Sequence, residues 1–521
     1  MESGEWREAA AEAGLEEGRM VQVTVEDRPV LLVRTEGRIC ACGAECPHYK
    51  GPLVKGQLAG HVLTCPSHNA RFDIRDGRLL SPPALNDLPA YDVKLEGGKV
   101  WVRSRGAAVI PMPAGSDGRT FLIVGAGAAG NAAAETLRRE GFSGRILLIG
   151  METAGPYDRP SLSKDYLAGE SPAKWLPLRG EKFYARLAIQ VRLGSRVVAI
   201  DPRSRTLTLA NGSTLQGDRI LLATGSVALR PPVPGIELPG CFMLRSLADA
   251  DALIAGLPQS GAVAVIGAGF IALEAASSLR KRGLEVHVVA PDAIPMEKVF
   301  GPEIGRRLKR LHEESGVVFH LGRTLAGVQG NGRARDILLS DGTHLEVGAV
   351  VLGVGVRPAV EYLAGSGLAE AAAVPVDSRQ ATAADGIFAA GDIALVKDAG
   401  GGPRRIEHWV EAERQGRHAA RSMLGKTPLP REAPFFWTRQ HGKSFKYVGH
   451  APGWERAVFR GDPQGDSFLA GYYTGGLLRA AASLGRDLEL IQVGQLLEAG
   501  RAPSPAELAD PGFDLSSKGS A

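Results

Sequence analysis

The same structural unit occurs twice in this chain: an apolar strand, a glycine-rich loop, a helix and a second strand. The first copy reads TFLIVGAGAAGNAAAETLRREG followed by RILLIG, and the second reads AVAVIGAGFIALEAASSLRKRG followed by LEVHVVA. Such a unit buries its strand between a parallel neighbour and its own helix, which is the arrangement of a dinucleotide-binding α/β domain. Two copies therefore predict two such domains.

The glycines of both loops have a steric reason. The first allows a tight turn, the second lets a pyrophosphate approach the helix N-terminus, and the third allows close packing of helix on strand. In the second loop Ala272 takes the place of the third glycine. Alanine is acceptable there because that position needs only close packing of the helix on the strand. The loop residues predicted to bind dinucleotides are Gly125, Gly127, Gly130, Gly267 and Gly269.

Length and composition indicate a soluble protein with domains beyond these two units. A chain of 521 residues is too long for one hydrophobic core, and its 44% hydrophobic and 23% charged residues are ordinary for a soluble protein. The net charge of +4 does not favour a nucleic-acid partner, and no apolar run is long enough to span a membrane. The acidic, helix-prone N-terminus lacks the features of a secretory signal. We therefore expect a cytoplasmic monomer or homodimer.

The five cysteines are unevenly placed. Cys40, Cys42, Cys46 and Cys65 lie close together in the N-terminal part, and the fifth is Cys241. So few cysteines in so long a chain do not make a disulfide scaffold, and clustered thiols favour metal or redox chemistry. Alternation in RICAC predicts a strand with Cys40 and Cys42 on one face, where packing is the main interpretation and a redox role the alternative.

Two short loops each pair one cysteine with one histidine: Cys46-Pro-His48 and Cys65-Pro-Ser-His68. A Rieske [2Fe–2S] centre needs this set, because two thiolates hold one iron and two imidazoles hold the other. A Cys₂His₂ zinc site is the competing interpretation, but zinc fingers usually pair like residues within each loop. The short β-type runs of residues 20–105 place both loops in a small all-β domain. We predict these four residues as cluster ligands.

Residues near these loops predict the reduction potential. High-potential Rieske proteins carry an extra cysteine in each loop, and Gly51 and Ser67 hold those places here. Ala70 and Phe72 stand where hydroxyl donors would be expected. Fewer hydrogen bonds to the sulfurs lower the potential, so we expect roughly −150 mV, the low end of the Rieske range.

Later segments predict a flavin site around the first glycine loop. Glu152 follows the second strand of the unit, where an acid binds ribose hydroxyls. PYDRPSLSK (156–164), LLATGS (221–226) and IFAAGDIA (387–394) come next, and Asp392 is placed to hold a ribityl hydroxyl. Each segment alone is ambiguous, since such acids are often solvated or cap turns, but their order predicts FAD. The residues predicted to bind it here are Glu152, Ala223, Gly225, Gly391 and Asp392.

These segments carry a family resemblance. The chain resembles the FAD-dependent pyridine nucleotide oxidoreductases, and PYDRPSLSK is characteristic of the branch with the oxygenase ferredoxin reductases and the apoptosis-inducing factors. The loops CPHYKGPLVKG and CPSHNARFDIRDGRL make it most similar to the apoptosis-inducing factor-like Rieske flavoproteins, and FFWTRQHGKSFKYVG extends the resemblance into the C-terminal part.

Motifs and resemblance together predict a multidomain fold. An N-terminal all-β Rieske domain is followed by two α/β Rossmann-like domains, for FAD and for NAD(P)H, and by a C-terminal α+β domain. The expected ranges are 1–106 (Rieske), 107–118 (linker), 119–247 with 376–425 (FAD), 248–375 (NAD(P)H) and 426–521 (C-terminal).

The resemblance also implies roles for single residues. Arg159 and Lys164 should lie beside the flavin, where Lys164 would stabilise negative charge on the reduced ring. Trp437 matches an aromatic residue near the isoalloxazine, and Glu274 an acid near the nicotinamide. We therefore expect Lys164 and Glu274 to be catalytic.

Two positions depart from the family pattern. Asn69 stands where a glycine usually follows the second Rieske histidine, and Arg439 stands where an aspartate is frequent. The second nucleotide strand ends at Ala290, where NAD-selective enzymes commonly have an acid that Asp292 could partly replace. No arginine follows immediately to take a 2′-phosphate, so we expect NADH, with NADPH as the alternative.

The expected chemistry is electron transfer rather than thiol chemistry. Residues 131–240 contain no cysteine, which excludes the dithiol of flavin disulfide reductases. We expect hydride transfer from NADH to FAD, then single electrons to the Rieske cluster and to an unidentified acceptor protein such as an oxygenase component. His48 and His68 would be the exit. The alternative is a slowly turning-over, NADH-responsive interaction protein of the apoptosis-inducing factor type.

Overall fold

The computed structural model describes residues 4–106, 109–397 and 402–519. Parts of the predicted domains lie outside the described residues: 1–3 of the Rieske domain, 107–108 of the linker, 398–401 of the FAD domain and 520–521 of the C-terminal domain. Among the described helices, none is both long and apolar enough to cross a membrane.

The N-terminal part folds into two antiparallel sheets. The larger has six strands, in spatial order Arg7–Ala11, Lys99–Ser104, Ala90–Glu96, Arg38–Gly43, Arg28–Thr35 and Met20–Val25. The smaller has four, Gln57–Ala59, Val62–Thr64, Arg71–Asp73 and Leu79–Ser81, and the second Cys–His loop follows its Val62–Thr64 strand. The all-β prediction for this part is confirmed.

The helical tendency of the N-terminus is overridden. Arg7–Ala11 is a strand that pairs antiparallel with Lys99–Ser104, and only Glu12–Gly14 forms a 3₁₀ turn. Residue propensity favours a helix here, but strand pairing along the sheet edge outweighs it.

Each repeated unit builds a five-stranded parallel sheet. The first sheet has the order Ile189–Arg192, Arg145–Ile149, Thr120–Val124, Arg219–Leu222 and Ile387–Ala389. The second has the order Cys241–Met243, Ala349–Leu352, Ala262–Ile266, Glu285–Ala290 and Val317–Leu321. Helices cover parallel sheets on both faces, which is why most of these strands read as continuous apolar runs. The second sheet begins with Cys241–Met243, before the expected boundary at 248, because this short strand pairs with Ala349–Leu352.

Smaller sheets connect and extend the two units. Ser226–Ala228 pairs with Val356–Pro358 and ties one unit to the other. The remaining small sheets contain Val197–Asp201, Thr206–Leu209 and Thr214–Gln216; Leu325–Gln329, Asp336–Leu339 and His344–Glu346; and Val374–Val376 with Ala394–Val396.

The C-terminal part is an antiparallel sheet with helices, as predicted. Its strand order is Phe435–Gln440, Lys443–Gly449, Leu477–Leu484, Phe468–Thr474 and Arg456–Gly461. The helices of the described chain are Ala128–Arg139, Asp165–Ala168, Glu181–Arg186, Leu247–Gly256, Phe270–Lys281, Glu297–Glu314, Trp409–Met423, Asp487–Glu498 and Pro505–Ala509.

Partly buried ion pairs hold the Rieske domain against the rest of the chain. Arg71 reaches both carboxylate oxygens of Glu498, at 2.7 and 2.9 Å, and lies 3.3 Å from Glu432. Arg414 lies 3.0 Å from the same Glu432. Burial alone would raise the pKa of Glu432, but Arg414 and Arg71 outweigh it and hold the pKa below its usual value. This cluster of charges therefore favours the docked arrangement.

Replacement of Arg71 by Met tests this docking. The variant keeps the aliphatic stem but removes a charge that pairs with Glu432 and Glu498, and breaking a buried pair costs about 3 kcal/mol. We expect the Rieske domain to loosen and the linker to be cleaved faster in limited proteolysis. The matched control is Arg103→Met, which removes an ion pair with Asp92 inside the Rieske domain. If the linker is cleaved equally fast in both variants, the ion pairs of Arg71 do not hold the Rieske domain in place.

Candidate active site and cluster-binding loops

One cavity of about 1340 Å³ is lined by residues of both parallel sheets and of the C-terminal sheet. It opens at the carboxyl ends of the parallel strands, where ligands bind in sheets of this kind. The structure brings nearly all the predicted FAD- and nucleotide-binding residues together here: Gly125, Gly127, Glu152, Arg159, Lys164, Ala223, Gly225, Gly267, Gly269, Glu274, Gly391, Asp392 and Trp437. Gly130 does not line the cavity; a Cβ there would lie 1.8 Å from the carbonyl oxygen of Gly125, so it serves helix packing.

The glycine loops fit dinucleotide pyrophosphates. A Cβ on Gly125 would lie 2.0 Å from the Ala223 carbonyl oxygen, so the protein itself requires glycine there. A Cβ on Gly127 or Gly269 would meet no described atom within 4 Å, yet each residue directly precedes a helix, Ala128–Arg139 or Phe270–Lys281. The open space in front of these helix N-termini is where a pyrophosphate approaches the backbone.

Glu152 and Asp392 are held by arginines on the cavity wall. Glu152 accepts hydrogen bonds from Arg159 at 2.8 Å and from the Tyr157 hydroxyl at 2.7 Å. Asp392 accepts from Arg245 at 3.0 Å and from the Ser226 hydroxyl at 2.9 Å.

The sequence interpretation missed Arg245. No motif marks this residue, because it reaches Asp392 through the fold rather than through local sequence. Its backbone carbonyl also accepts a 2.6 Å hydrogen bond from Arg159, so Arg245 links the groups that hold Glu152 and Asp392.

The two predicted catalytic residues are brought together from different parts of the chain. Lys164 Nζ lies 2.8 Å from Glu274 Oε2, and Glu274 is only 3% exposed. Ser163 donates to the same oxygen at 2.5 Å, and Thr438 donates to the other oxygen at 2.7 Å. A carboxylate fixed at both oxygens holds the lysine ammonium at a defined place on the cavity wall.

The four residues predicted as cluster ligands form two pairs of donors. Cys46 and Cys65 are each 1% exposed, and their sulfurs are in hydrogen-bond contact. The Nδ1 atoms of His48 and His68 lie 3.1 Å apart. Two sulfurs together and two nitrogens together suit a two-iron cluster.

The surroundings of Cys65 explain the glycine at position 51. A Cβ on Gly51 would lie 3.0 Å from the Cys65 sulfur and 3.1 Å from Ser67 Cβ, so Gly51 and Ser67 face each other beside the ligands, where a disulfide would stand. Hydrogen bonds from Cys46, from the backbone amides of Ser67 and His68, and from the Ser67 hydroxyl lower the pKa of Cys65. Ser67 is thus a hydroxyl donor that the sequence interpretation left out, and the low reduction potential stays a prediction.

The two departures from the family pattern have local explanations. Asn69 has φ 66°, in the left-handed region, where glycine is favoured and asparagine is the best tolerated alternative. Arg439 forms an ion pair with Asp165, so the cation at this position has its own partner.

The remaining N-terminal cysteines, Cys42 and Cys40, lie in or against the apolar core of the domain, which also contains Cys46 and Cys65. Burial raises the pKa of Cys42 to about 12, which keeps its thiol protonated.

Trp437 lies between the cavity and the cluster loops. Its ring lines the cavity, and its centroid lies 4.4 Å from that of His68 and 6.0 Å from that of His48. Lys446 donates to the Pro66 carbonyl at 2.7 Å, and the Tyr49 hydroxyl donates to Asp158. The histidine edge therefore faces the flavin-binding part of the chain, and the expectation that it is the exit does not fit the docked arrangement.

The nucleotide end of the cavity contains an acid and an arginine. Asp292 lines it as expected, and so does Arg323, which follows the neighbouring strand Val317–Leu321. The backbone N–H of Arg323 donates to the Ala290 carbonyl at 3.1 Å, and its side chain pairs with Asp341. The sequence interpretation missed Arg323 because only sheet formation brings it beside Ala290.

Fold and site define a two-nucleotide flavoprotein reductase with a fused iron–sulfur domain, and comparison with known proteins agrees. Residues 119–416 match the pyridine nucleotide-disulphide oxidoreductase family, 5–92 match the Rieske [2Fe-2S] domain and 435–518 match the reductase C-terminal domain. The chain belongs to the pyridine nucleotide-disulphide oxidoreductase family. It is an NAD(P)H-dependent flavoprotein of the ferredoxin reductase type, with FAD and a [2Fe–2S] cluster as cofactors.

Several known proteins match this chain over most of their own length. Apoptosis-inducing factor 3 of Homo sapiens is 34% identical over 94% of this chain and 83% of its own length. The 5,5′-dehydrodivanillate O-demethylase ferredoxin reductase subunit of Sphingobium sp. is 36% identical over 75% of this chain and 95% of its own. The solved ferredoxin reductase for the CYP199A2 system from Rhodopseudomonas palustris superposes with a TM-score of 0.73, at 36% identity, over 77% of this chain and 99% of that one.

Paired cysteine variants test the ligand assignment. Cys46→Ser should abolish cluster iron and acid-labile sulfide, because serine is a poor substitute for the thiolate that the iron requires. Cys42→Ser changes an equally buried thiol in the same core and should retain the cluster. Iron and sulfide analysis with low-temperature EPR measures both, and a cluster surviving in Cys46→Ser would refute the assignment.

Proposed function

We propose that this chain passes electrons from NADH through FAD to its own Rieske cluster, and from there to an external redox protein. The observation that carries the proposal is the position of Trp437, which lines the nucleotide cavity and contacts the imidazole of His68. When bound, FAD accepts a hydride from the nicotinamide and gives up electrons singly, and the cluster takes one electron at a time.

The predicted site residues take the following parts in this proposal. The first glycine loop, with Glu152, Arg159 and Asp392, holds FAD, and the second, with Gly267 and Gly269, holds the nicotinamide nucleotide. The Lys164 ammonium, fixed by Glu274, stabilises negative charge that develops beside it. That stabilisation is strong because both side chains are largely shielded from water, with exposures of 12% and 3%.

The external acceptor is proposed to be an oxygenase component or a similar small redox protein. Support comes from relatives whose names place them in such systems, among them the benzene 1,2-dioxygenase ferredoxin–NAD⁺ reductase subunit of Pseudomonas putida, 34% identical over 74% of this chain. A cytoplasmic location is part of the same proposal, supported by the three cysteines outside the predicted ligand set, Cys40, Cys42 and Cys241, which are free thiols. We also propose the predicted ranges as the domain division, with the Rieske domain at 1–106 and with the start of the NAD(P)H domain moved forward to include strand Cys241–Met243.

NADH is the proposed hydride donor. Asp292 supports this choice, because a carboxylate on the cavity wall near the end of Glu285–Ala290 binds ribose hydroxyls and repels a 2′-phosphate. Two cations lie at this end: Arg323 is partly neutralised by its pairing with Asp341, at 2.7 Å, and Lys298 lies 3.4 Å from Asp292 itself but extends into solvent, with 89% of its side chain exposed.

Trp437→Leu tests the route to the cluster. Loss of the aromatic ring removes the contact between the cavity wall and His68, so cluster reduction should slow much more than flavin reduction by NADH does. Stopped-flow absorbance separates the two events. Trp175→Leu removes an exposed tryptophan that does not line the cavity and serves as control. Unchanged cluster reduction in Trp437→Leu would overturn the proposed route.

The coenzyme preference is tested by comparing kcat/KM for NADH and NADPH. Like-charge repulsion should favour NADH by at least about tenfold, and Asp292→Ala should narrow that ratio. A preference for NADPH in the wild-type protein would instead assign Arg323 to the 2′-phosphate.

A further inference from the structure

The Lys164–Glu274 pair lies at one end of a series of buried hydrogen bonds, which we call the hydrogen-bond relay and which runs through Thr438, Gln440 and His312. Thr438 Oγ1 donates to Glu274 Oε1 at 2.7 Å, and Gln440 Nε2 donates to Thr438 Oγ1 at 3.1 Å. Gln440 Oε1 in turn lies 2.8 Å from Nε2 of His312. The three added side chains are all 0% exposed, so their bonding partners are fixed by the protein rather than by water.

The hydrogen-bond relay continues from His312 to His441, which is partly exposed. His441, in the turn after strand Phe435–Gln440, has its Nε2 3.0 Å from Nδ1 of His312. The His441 backbone N–H donates to Ser277 Oγ at 2.8 Å, which fastens this turn to helix Phe270–Lys281, the helix that carries Glu274.

Donor and acceptor chemistry allows the hydrogen bonds of this relay to run in one direction only. A carboxylate paired with Lys164 can only accept, so the Thr438 hydroxyl must donate to Glu274 and accept from Gln440 Nε2. The amide oxygen of Gln440 then faces His312, which must donate from Nε2. Every hydrogen bond therefore points toward Glu274, and none can be reversed without leaving two acceptors in contact.

Both histidines suit this direction in their neutral form. Burial, with the neighbouring His441, lowers the pKa of His312 to about 3, although its hydrogen bond to Gln440 opposes this. Burial also lowers the pKa of His441 to about 4. A neutral imidazole donates at one nitrogen and accepts at the other, so His312 can donate to Gln440 while accepting from His441.

We propose that His312 is a positioning residue for hydride transfer: acting through Gln440 and Thr438, it fixes the Glu274 carboxylate and thereby the Lys164 ammonium on the cavity wall. His312 belongs to helix Glu297–Glu314 and touches neither predicted catalytic residue, so its effect passes through strand Phe435–Gln440. This inference rests on the roles proposed above for Lys164 and Glu274.

Variants at Thr438 test the last hydrogen bond of the relay, from Thr438 to Glu274. Thr438→Val keeps the shape but removes the hydroxyl, and loss of a hydrogen bond to a charged group should slow flavin reduction at saturating NADH by about tenfold. Thr438→Ser restores the hydroxyl and should recover most of that rate. Because Lys164 would sit beside the flavin, Thr438→Val should also shift the flavin visible spectrum and midpoint potential, and Thr438→Ser should not.

His312→Leu tests the far end, and Tyr472→Phe is its control. Tyr472→Phe removes a buried hydrogen bond to the Phe300 carbonyl. That bond also joins helix Glu297–Glu314 to the C-terminal sheet, but it is not part of the hydrogen-bond relay. Both variants should lower the thermal unfolding temperature. Only His312→Leu should reproduce the slower flavin reduction and the altered flavin spectrum of Thr438→Val.

The outcomes separate this inference from the proposed function. If NAD(P)H does not reduce the flavin of the wild-type protein, the proposed function fails. If the wild-type flavin is reduced but Thr438→Val behaves like Tyr472→Phe, with lower stability and an unchanged flavin spectrum and rate, the positioning role is wrong and the function stands. If His312→Leu does not fold, the Thr438 pair alone decides.

Discussion

The structure depends on one strand, Phe435–Gln440, whose alternating side chains serve two sites at once. On one face Trp437 contacts the cluster ligand His68, and on the other Thr438 is hydrogen-bonded to Glu274. Because successive residues of a strand point to opposite faces, neither contact can shift without the other. The distance between the nucleotide cavity and the iron–sulfur loops is therefore set by the backbone of a single strand.

Fusion of the Rieske domain changes the docking problem. A separate ferredoxin must find its reductase by diffusion, whereas a tethered domain is present at high effective concentration and needs few strong contacts. Besides the ring contact of Trp437 with His68, polar contacts join the two parts: the ion pairs of Arg71, the 2.7 Å hydrogen bond from Lys446 to the Pro66 carbonyl and a 2.6 Å hydrogen bond from Arg179 to the Leu85 carbonyl. Bonds to backbone carbonyls recognise the shape of the Rieske loops and depend little on their side chains.

What the sequence could predict were features with a local steric or chemical cause. The glycine loops, the alternating strands of residues 20–105 and the Cys–His ligand loops each follow from nearby residues, and the structure places them as expected. Arg245, Arg323 and the hydrogen-bond relay from Thr438 to His312 could not be predicted, because each joins segments that only the fold brings together. The N-terminal strand was misjudged for the same reason: its partner, Lys99–Ser104, lies at the far end of the domain.

The orientation of the cluster illustrates the limit of local reasoning. Within the Rieske domain the histidines are the more exposed of the four predicted ligands, since His48 and His68 are half-buried and the cysteines are each only 1% exposed. Which molecule meets the histidine edge depends instead on the docking surface. In this chain Trp437 lies against that edge, so the histidine side of the ligand loops is used internally. The same exposure that suggested an exit is what allows the cluster to receive electrons from within the chain.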